Sequence, residues 1–503
     1  MGPTTGPNGA PAAGWAPPPE VPAWTPPPPR PPRAADPAPA VLLTLALVAG
    51  VALDLGVRGG FANLAVALGL AAVIAGLASD RRLHRRSALA LALAALVPLL
   101  FLALRTSWWL TGTNLALAGA LVLVAIAYGR SGRPTDTTLG RLVRRSLRTI
   151  PSAVTAPAAL RPLVPRMSSA RSERLGRVAL ALAVSVPVLV LVTVLLAMAD
   201  PVFAGMLTPD LALGPLVGHA LVVLVFAAGA ICVIGAAATD TEDHPPTGRF
   251  GKLEVLTMLV GTAAVLGLFV VSQLLALTSA GERLVEQAGL TPAEYARSGF
   301  FQLCWATGLI LTLLAATRAL AAPGVAAARG VRALGALVPI LALGLVAVSL
   351  RRMALYDDAF GLTMLRLWVL GTAVWMGAVL VLVALRNAGV GARREWVLAA
   401  SIAAAFVLVV GADVANPEAY VARHNLARAE GGAELDPAYL AQLSDDAVPT
   451  IADAWDRADD AGRVALQPAL RCGEDADGVA RLNVGAQRAT EARSTRCDAT
   501  DGG

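Results

Sequence analysis

The chain has 503 residues, of which 56% are hydrophobic and only 15% are charged, and its mean hydropathy is +0.64. This charged fraction is low for a soluble domain. The apolar residues also form uninterrupted blocks of roughly 17 to 25 residues, which is the length of a membrane-spanning helix. The sequence therefore predicts an all-α, polytopic helical membrane bundle embedded in a lipid bilayer. The net charge of +6 does not indicate nucleic-acid binding, because the basic residues are concentrated in a few loops.

The N-terminal segment, residues 1–40, holds fifteen of the 34 prolines of the chain. A segment of this composition cannot bury a core, so we predict a disordered cytoplasmic tail. Its stretch from Pro28 to Arg33 fits either a polyproline ligand for a partner or a solvated spacer. No secretory signal peptide is visible before the first apolar block.

Eleven apolar blocks follow between residues 41 and 415, and each is predicted to span the membrane. The first contains Asp54 and the last contains Asp413. Prolines inside the blocks, such as Pro98 and Pro339, predict kinks. The predicted spans are 41–57, 61–79, 87–104, 110–128, 178–199, 216–237, 253–277, 299–320, 334–350, 363–385 and 397–415.

The connections between the spans differ in basic charge, and this difference predicts orientation. If the N-terminal tail is cytoplasmic, the segments on that side hold 25 Arg and Lys residues, against six in the loops on the other side. The sequence thus predicts a multi-pass protein of the inner cell membrane with a cytoplasmic N-terminus. With an odd number of spans, the C-terminal segment lies outside the cytoplasm.

The basic cytoplasmic loop 129–177 contains a helical pattern at 138–150. One face carries Leu139, Leu142, Val143, Leu147 and Ile150, and the other faces carry Arg141, Arg144, Arg145 and Arg148. Such a helix lies on the inner leaflet with its arginines near anionic lipid head groups. A topological anchor and a regulatory docking site both remain open.

The amino-acid composition changes at the start of the C-terminal segment. Residues 416–503 hold sixteen acidic residues against nine arginines, and Pro, Asn, Asp and Gly at helix-end positions predict a small extracytoplasmic helical domain at 416–475. Residues 476–503 are predicted to be a flexible tail. Cys472 and Cys497 are a disulfide candidate if this segment lies outside, and two unrelated thiols are the alternative.

A polar hinge from Arg351 to Arg366 separates two of the spans. A helix that begins near Asp358 would place Arg366 about two turns inside the membrane, where a charge must snorkel or pair. The predicted partners of Arg366 are acidic residues on the same side of the membrane: Asp357, Asp358, Glu294, Asp413 and Glu418.

Three segments together resemble the bacterial multi-pass proteins of domain of unknown function 4173, a family close to 4153. The first is Glu294–Phe301, the second is Tyr356–Arg366, and the third runs from Asn416 to Pro449. One departure is Phe360, where the family often has Tyr. The resemblance implies an architecture and no activity. Its motif residues are Glu294, Tyr295, Arg297, Tyr356, Asp357, Asp358, Gly361, Arg366, Asn416, Arg423, Asn425, Asp436 and Asp446.

All three segments fall on the predicted outer side, so we expect them to form one outward surface that binds a protein partner or an envelope ligand. No nucleophile, zinc or phosphate-binding motif is present, and the pattern indicates neither a cofactor nor a metal. The sequence favours a non-enzymatic membrane protein. A secondary transporter that uses Arg366 and outer acids, and an outer-face transferase that uses acids such as Asp54, remain alternatives.

Overall fold

The computed structural model describes residues 39–79, 86–129, 131–155, 215–236, 250–276, 300–391, 395–474 and 476–497. In these ranges the regular structure is helical, with one isolated β-bridge between Phe250 and Ala321. The predicted N-terminal tail, the predicted fifth span at 178–199 and the segment that holds Glu294, Tyr295 and Arg297 lie outside the described residues.

In the described ranges, twelve α-helices lie before residue 416, in the bundle and in the helix that flanks it. Seven of them are long and apolar enough to cross a membrane. They are α1 (Pro39–Arg58), α2 (Leu64–Ser79), α3 (Arg86–Ala94), α4 (Leu96–Phe101), α5 (Trp108–Ala127), α6 (Leu139–Thr155), α7 (Pro215–Ala236), α8 (Lys252–Ala276), α9 (Phe300–Leu320), α10 (Arg329–Phe360), α11 (Met364–Ala388) and α12 (Val397–Ala415).

Every predicted span in the described ranges coincides with apolar helix. The seven long helices are α1, α5 and α8 to α12, and shorter apolar helices stand at the predicted spans 61–79, 87–104 and 216–237. The span at 87–104 is divided into α3 and α4 at Ala95. Pro98 explains the break, because a proline lacks an N–H and its ring clashes with the carbonyl four residues earlier.

The polar hinge is shorter than predicted. Helix α10 continues through Tyr356 and Asp357 to Phe360, and α11 begins at Met364, so only residues 361–363 are non-helical. Gly361 has a φ of +74°, a conformation that glycine adopts without steric cost. The predicted helix start near Asp358 is therefore wrong, and Arg366 lies in the first turn of α11.

Five further α-helices form a C-terminal cap, which we define as residues 416–497. Its core consists of side chains such as Val421, Leu440, Ile451 and Leu470, and the hinge residues Leu362 and Met364 belong to the same cluster. The cap thus encloses one loop of the bundle in its own core. Its helices are α13 (Pro417–Glu430), α14 (Pro437–Ala441), α15 (Val448–Arg457), α16 (Asp460–Leu470) and α17 (Val484–Cys497).

The described part of the predicted tail, residues 476–497, is largely helical. It forms a 3₁₀ turn at Gly478–Arg481 and then α17. Arg493 of α17 is 2% exposed and donates to the Leu470 carbonyl at 2.8 Å and to Asp445 at 2.5 Å. The charged composition of this segment is typical of a solvated tail. Composition does not show that Arg493 has buried hydrogen-bond acceptors.

Candidate functional site

The cap meets the bundle at the loop between α4 and α5. The backbone N–H groups of Thr106 and Ser107 both donate to Oδ2 of Asp446, at 2.9 and 3.0 Å. The Asp446 N–H in turn donates to the Thr106 hydroxyl at 3.1 Å. Arg105 donates to the backbone carbonyls of Asp413 at 2.7 Å and Val414 at 3.3 Å. This loop therefore connects the end of α12 to the start of α15.

Glu418 completes the same junction. Its Oε1 accepts from the Ser107 hydroxyl at 2.6 Å, and its Oε2 accepts from the Ser444 N–H at 2.5 Å. Asp413 accepts from the Asn114 amide at 2.9 Å. The carboxylates of Asp413, Glu418 and Asp446 are thus all held by specific donors.

These three carboxylates lie in one buried region. Their residues are between 0% and 4% exposed, and the nearby guanidinium of Arg105 is bonded to carbonyls. Burial raises the pKa of Asp446 to about 6, the Ser107 and Thr106 amides and the charge of Arg105 oppose this rise, and the charge of Glu418 adds to it. We call Arg105–Ser107 with Asp413, Glu418 and Asp446 the carboxylate junction.

Asn483 fixes a second set of loops. Its side-chain amide donates to the carbonyls of Ala62, Leu102 and Arg105, at 2.9, 3.0 and 2.8 Å. Its Oδ1 accepts from the N–H of Gly485 at 2.8 Å, at the start of α17. A side chain longer than that of Gly485 would displace Asp446, because a Cβ there would stand 2.5 Å from Asp446 Oδ1.

A small cavity of about 120 Å³ adjoins the carboxylate junction. It is lined by both acidic and basic residues, including Arg105, Asp445, Asp446, Gly485 and Arg488. Asp446 Oδ1 receives no hydrogen bond from the described part of the chain. The volume is well below that of usual pockets for drug-sized ligands.

The hinge is clamped by the cap. The side-chain amide of Asn425 accepts from the Leu362 N–H at 2.9 Å and donates to the Leu362 carbonyl at 2.8 Å. The Tyr439 hydroxyl accepts from the Met364 N–H at 2.7 Å. A Cβ on Gly361 would stand 2.8 Å from Asn425 Oδ1, so glycine is required at 361 for close approach as well as for its φ angle.

Arg366 has a different environment from the predicted one. Its guanidinium donates to the Gly361 carbonyl and lies over the Tyr356 ring, 4.1 Å from the centroid. The expected ion pairs with Asp357, Asp413 and Glu418 do not occur, because these carboxylates have the other partners described here. The Glu294 alternative and the Asp358 side chain lie outside what the structure describes. From the first turn of α11, Arg366 therefore bonds the loop at Gly361 and contacts Tyr356 at the end of α10.

Aromatic side chains from α10 and α13 lie near a contact between His424 and Asp357 beside the hinge. His424 Nε2 lies 3.1 Å from Asp357 Oδ1. Tyr356 and Phe360 pack edge to face, and Tyr420 stacks on His424. Phe360 and Tyr420 are 58% and 49% exposed. We call these five residues the aromatic surface.

The other predicted motif residues are distributed over the cap. Asn416 caps α13 by accepting from Ala419, and its amide donates to the Asp446 carbonyl. Asp436 caps α14 by accepting from Tyr439. Arg423 lies exposed on α13. The structure thus brings residues of the Tyr356–Arg366 segment into contact with residues of the Asn416–Asp446 segment.

Cys472 and Cys497 form a disulfide with a Cα–Cα distance of 5.6 Å, which joins the end of α16 to the end of α17. In the described ranges, no group of three or more His, Cys, Asp or Glu residues is arranged to hold a metal ion.

Sequence reasoning missed the residues that dock the cap: Arg105, Thr106, Ser107, Glu418 as a buried acceptor, and Asn483. A short polar stretch after an apolar block is usual in a membrane loop, so Arg105–Ser107 carried no special signal. Asn483 stands in the segment predicted to be a tail. One usable signal was Asn483-Val484-Gly485, since Asn is a common N-cap and precedes a helix here.

Comparison with known proteins identifies the family of this sequence. The model of the family described as Domain of unknown function (DUF4153) matches residues 88–454. The resemblance to 4173 stays a prediction. No curated protein and no solved structure matches the chain.

Proposed function

Because the chain belongs to the DUF4153 family, whose model covers most of the bundle and nearly half of the cap, we propose that cap and bundle act as one functional unit. The protein is a non-enzymatic, multi-pass protein of the inner cell membrane. Its N-terminus is cytoplasmic and its cap is extracytoplasmic. The cap binds a protein partner or an envelope ligand.

Loop charge and cap contacts together support the proposed orientation. The cap contacts the ends of α1, α4, α10 and α12 through the loops that follow them. These loops belong to the side with six basic residues, and the connections at the opposite side hold 25. Because basic loops are retained in the cytoplasm, the cap side is assigned to the exterior.

The aromatic surface is the observation that carries the binding proposal. Aromatic residues and arginine are enriched in the centres of protein interfaces, and here Phe360 and Tyr420 are exposed beside Arg423. Asn425 of α13 bonds Leu362 in the loop after α10, and Tyr439 of α14 bonds Met364 at the start of α11. These contacts hold the end of α10 near α13, so the two halves of the surface are presented in a fixed arrangement. A preorganised surface loses less conformational entropy on binding.

Site-specific crosslinking in intact cells tests this proposal. A photoreactive phenylalanine at Phe360 or Tyr420 is expected to yield a discrete adduct. The same group at Val464, which is 70% exposed on α16, provides the control and is expected to yield none. Equal adduct patterns at the three positions, or adducts at none of them, would contradict binding at the aromatic surface.

The orientation has a separate test. A cysteine at Ala429, in α13, is expected to react with a membrane-impermeant thiol reagent from outside intact cells. Protection of this cysteine until lysis would place the cap in the cytoplasm. The crosslinking result and the labelling result can fail independently.

Transport is a second candidate function, now supported by other residues than Arg366. Asp54 is 2% exposed within α1, and its carboxylate contacts Arg58 at 2.9 Å and His219 of α7 at 2.5 Å. Ionisable residues inside a membrane bundle commonly mark ion or substrate paths. If Asp54→Asn lowers solute flux at an unchanged protein level, transport is supported. If it only lowers the protein level, Asp54 is structural.

A further inference from the structure

Helix α6 is anchored to the bundle by a buried arginine. Arg145 is 3% exposed, and it donates to the carbonyls of Ala127 at 3.1 Å and Ser131 at 2.9 Å. Its guanidinium carbon also lies 4.4 Å from the centroid of the Tyr128 ring. The buried side of α6, which we call the bundle side, consists of Leu142, Arg145 and Thr149.

The remaining circumference of α6 is divided into an apolar side and a basic side. Successive residues of a helix are rotated by about 100°, so Leu139, Val143 and Leu147 form one ridge. Each of these three residues is between 50% and 60% exposed. Arg144 and Arg148 lie on the third side and are exposed. The sequence pattern had placed Leu142 on the apolar face, but the structure uses it for packing on the bundle.

Three sides of different chemistry fit a helix at the edge of a membrane bundle. An exposed ridge of three large aliphatic residues is unfavourable in water, and burying each would contribute about 1.5 to 3 kcal/mol. Helix α6 packs against α5 and α7, and α5 is one of the long apolar helices. The exposed ridge therefore lies on a side of α6 that α5 and α7 leave uncovered. Residues 138–150 contain four arginines and no acidic residue, which complements anionic phosphate groups.

We infer that α6 is an interfacial helix that binds anionic phospholipids with two separate sides. Leu139, Val143 and Leu147 insert among acyl chains, and Arg144 and Arg148 contact lipid phosphate groups. Arg145 takes no part in lipid binding, because its guanidinium is enclosed by the bundle. This inference does not depend on the proposed function of the cap.

Fluorescence quenching on the full-length protein in nanodiscs tests insertion of the ridge. A single cysteine replaces Leu147 in a background in which Cys232 and Cys304 are alanine, and it carries a fluorophore. A nitroxide attached to the lipid near the acyl-chain boundary is expected to quench this fluorophore. The same label at Val464 in the cap is the control and is expected to be quenched little. Iodide serves as a second quencher that reaches the fluorophore from water. The inference is overturned if the nitroxide quenches the fluorophore equally at both positions, or if neither the nitroxide nor iodide quenches it at position 147. The latter result would indicate a protein surface covering the ridge.

Removal of the basic side tests the lipid chemistry. The experiment uses nanodiscs of phosphatidylcholine with phosphatidylglycerol and the fluorophore at position 147. Arg144→Gln and Arg144→Gln/Arg148→Gln are expected to lower the ratio of lipid-inserted to water-exposed fluorophore by about fivefold per arginine. Phosphatidylcholine alone should largely abolish this difference. The control pair Arg457→Gln/Arg488→Gln removes the same charge from exposed positions of the cap. An equal effect of both pairs, or none from Arg144 in either lipid, overturns binding of anionic head groups.

Discussion

The two ends of the bundle use carboxylates in opposite ways. At the cap end, Asp446, Glu418 and Asp413 are buried and accept mainly from backbone amides, a hydroxyl and an amide side chain. At the other end, Glu395 accepts from the guanidinium groups of Arg318 at 2.7 Å and Arg386 at 3.2 Å. Three carboxylates therefore lie together at the cap end, whereas the carboxylate at the other end is paired with two arginines.

This difference gives the two ends opposite responses to protonation. Although burial of Glu395 tends to raise its pKa, the hydrogen bonds and charges of Arg318 and Arg386 hold the pKa below its ordinary value. Burial raises the pKa of Asp446, with Glu418 adding to the rise. At neutral pH, the charged form of Glu395 therefore stabilises the fold, whereas the charged form of Asp446 destabilises the docking of the cap. We expect cap docking to weaken as the pH rises, whereas the Glu395 contacts weaken in acid.

Asp446→Ala is expected to have the largest effect. It leaves the N–H groups of Thr106 and Ser107 without their acceptor, and each unsatisfied buried donor costs about 1 to 3 kcal/mol. Thermal unfolding of the purified protein, together with proteolysis of the cap, measures the loss. Asp453→Ala removes an exposed acid from α15, the helix that follows Asp446, and should change little. Equal unfolding midpoints for both variants would show that the Asp446 contacts do not hold the cap.

The pH dependence of stability is the next largest expected effect. The pKa of Asp446 is about 6 in the folded protein, against an ordinary value of 3.8. The native state therefore binds the proton more tightly. The stabilisation that results is complete below about pH 4 and is lost as the pH rises through about 6, by about 3 kcal/mol in total.

Asp446→Asn isolates this contribution, since it retains one oxygen acceptor and cannot ionise. Its unfolding midpoint is expected to fall less than the wild-type midpoint between about pH 4 and 7. The unfolding midpoint of the variant should therefore rise relative to that of the wild type as the pH rises. Parallel curves for the two proteins would assign the pH dependence to other groups.

The two ends also differ in how far the sequence predicted them. Hydrophobic block length predicted the apolar helices, because it depends on contacts with the bilayer that each segment makes by itself. Helix capping by Asn416 and Asp436 was readable for the same local reason. The buried roles of Glu418 and Asn483 depend on loops hundreds of residues away, such as Ser107 and Ala62, and no local pattern encodes that pairing.

Arg366 shows how one misplaced helix end changes a functional hypothesis. Its predicted depth of two turns made it a buried charge in need of an acid. The helix begins instead at Met364, so the guanidinium reaches back to Gly361 and Tyr356. Gly361 was the available signal, because a glycine between two apolar helices often marks a C-terminal cap with positive φ.

Glu395→Gln is expected to have the smallest effect and the opposite pH profile. The substitution removes the charge between Arg318 and Arg386 but keeps a hydrogen-bonding oxygen, so it should cost about 1 kcal/mol at neutral pH. Since the folded pKa is lowered, the stabilisation from the wild-type acid is present above the ordinary pKa and is lost as the pH falls through the folded value. The unfolding midpoints of wild type and variant should then converge in acid, whereas those of wild type and Asp446→Asn should separate as the pH rises. High salt is expected to reduce the Glu395 difference, because its carboxylate is 27% exposed. A Glu395→Gln difference that grows in acid would mean that the arginines do not stabilise the charged carboxylate, and the contrast between the two ends would fail.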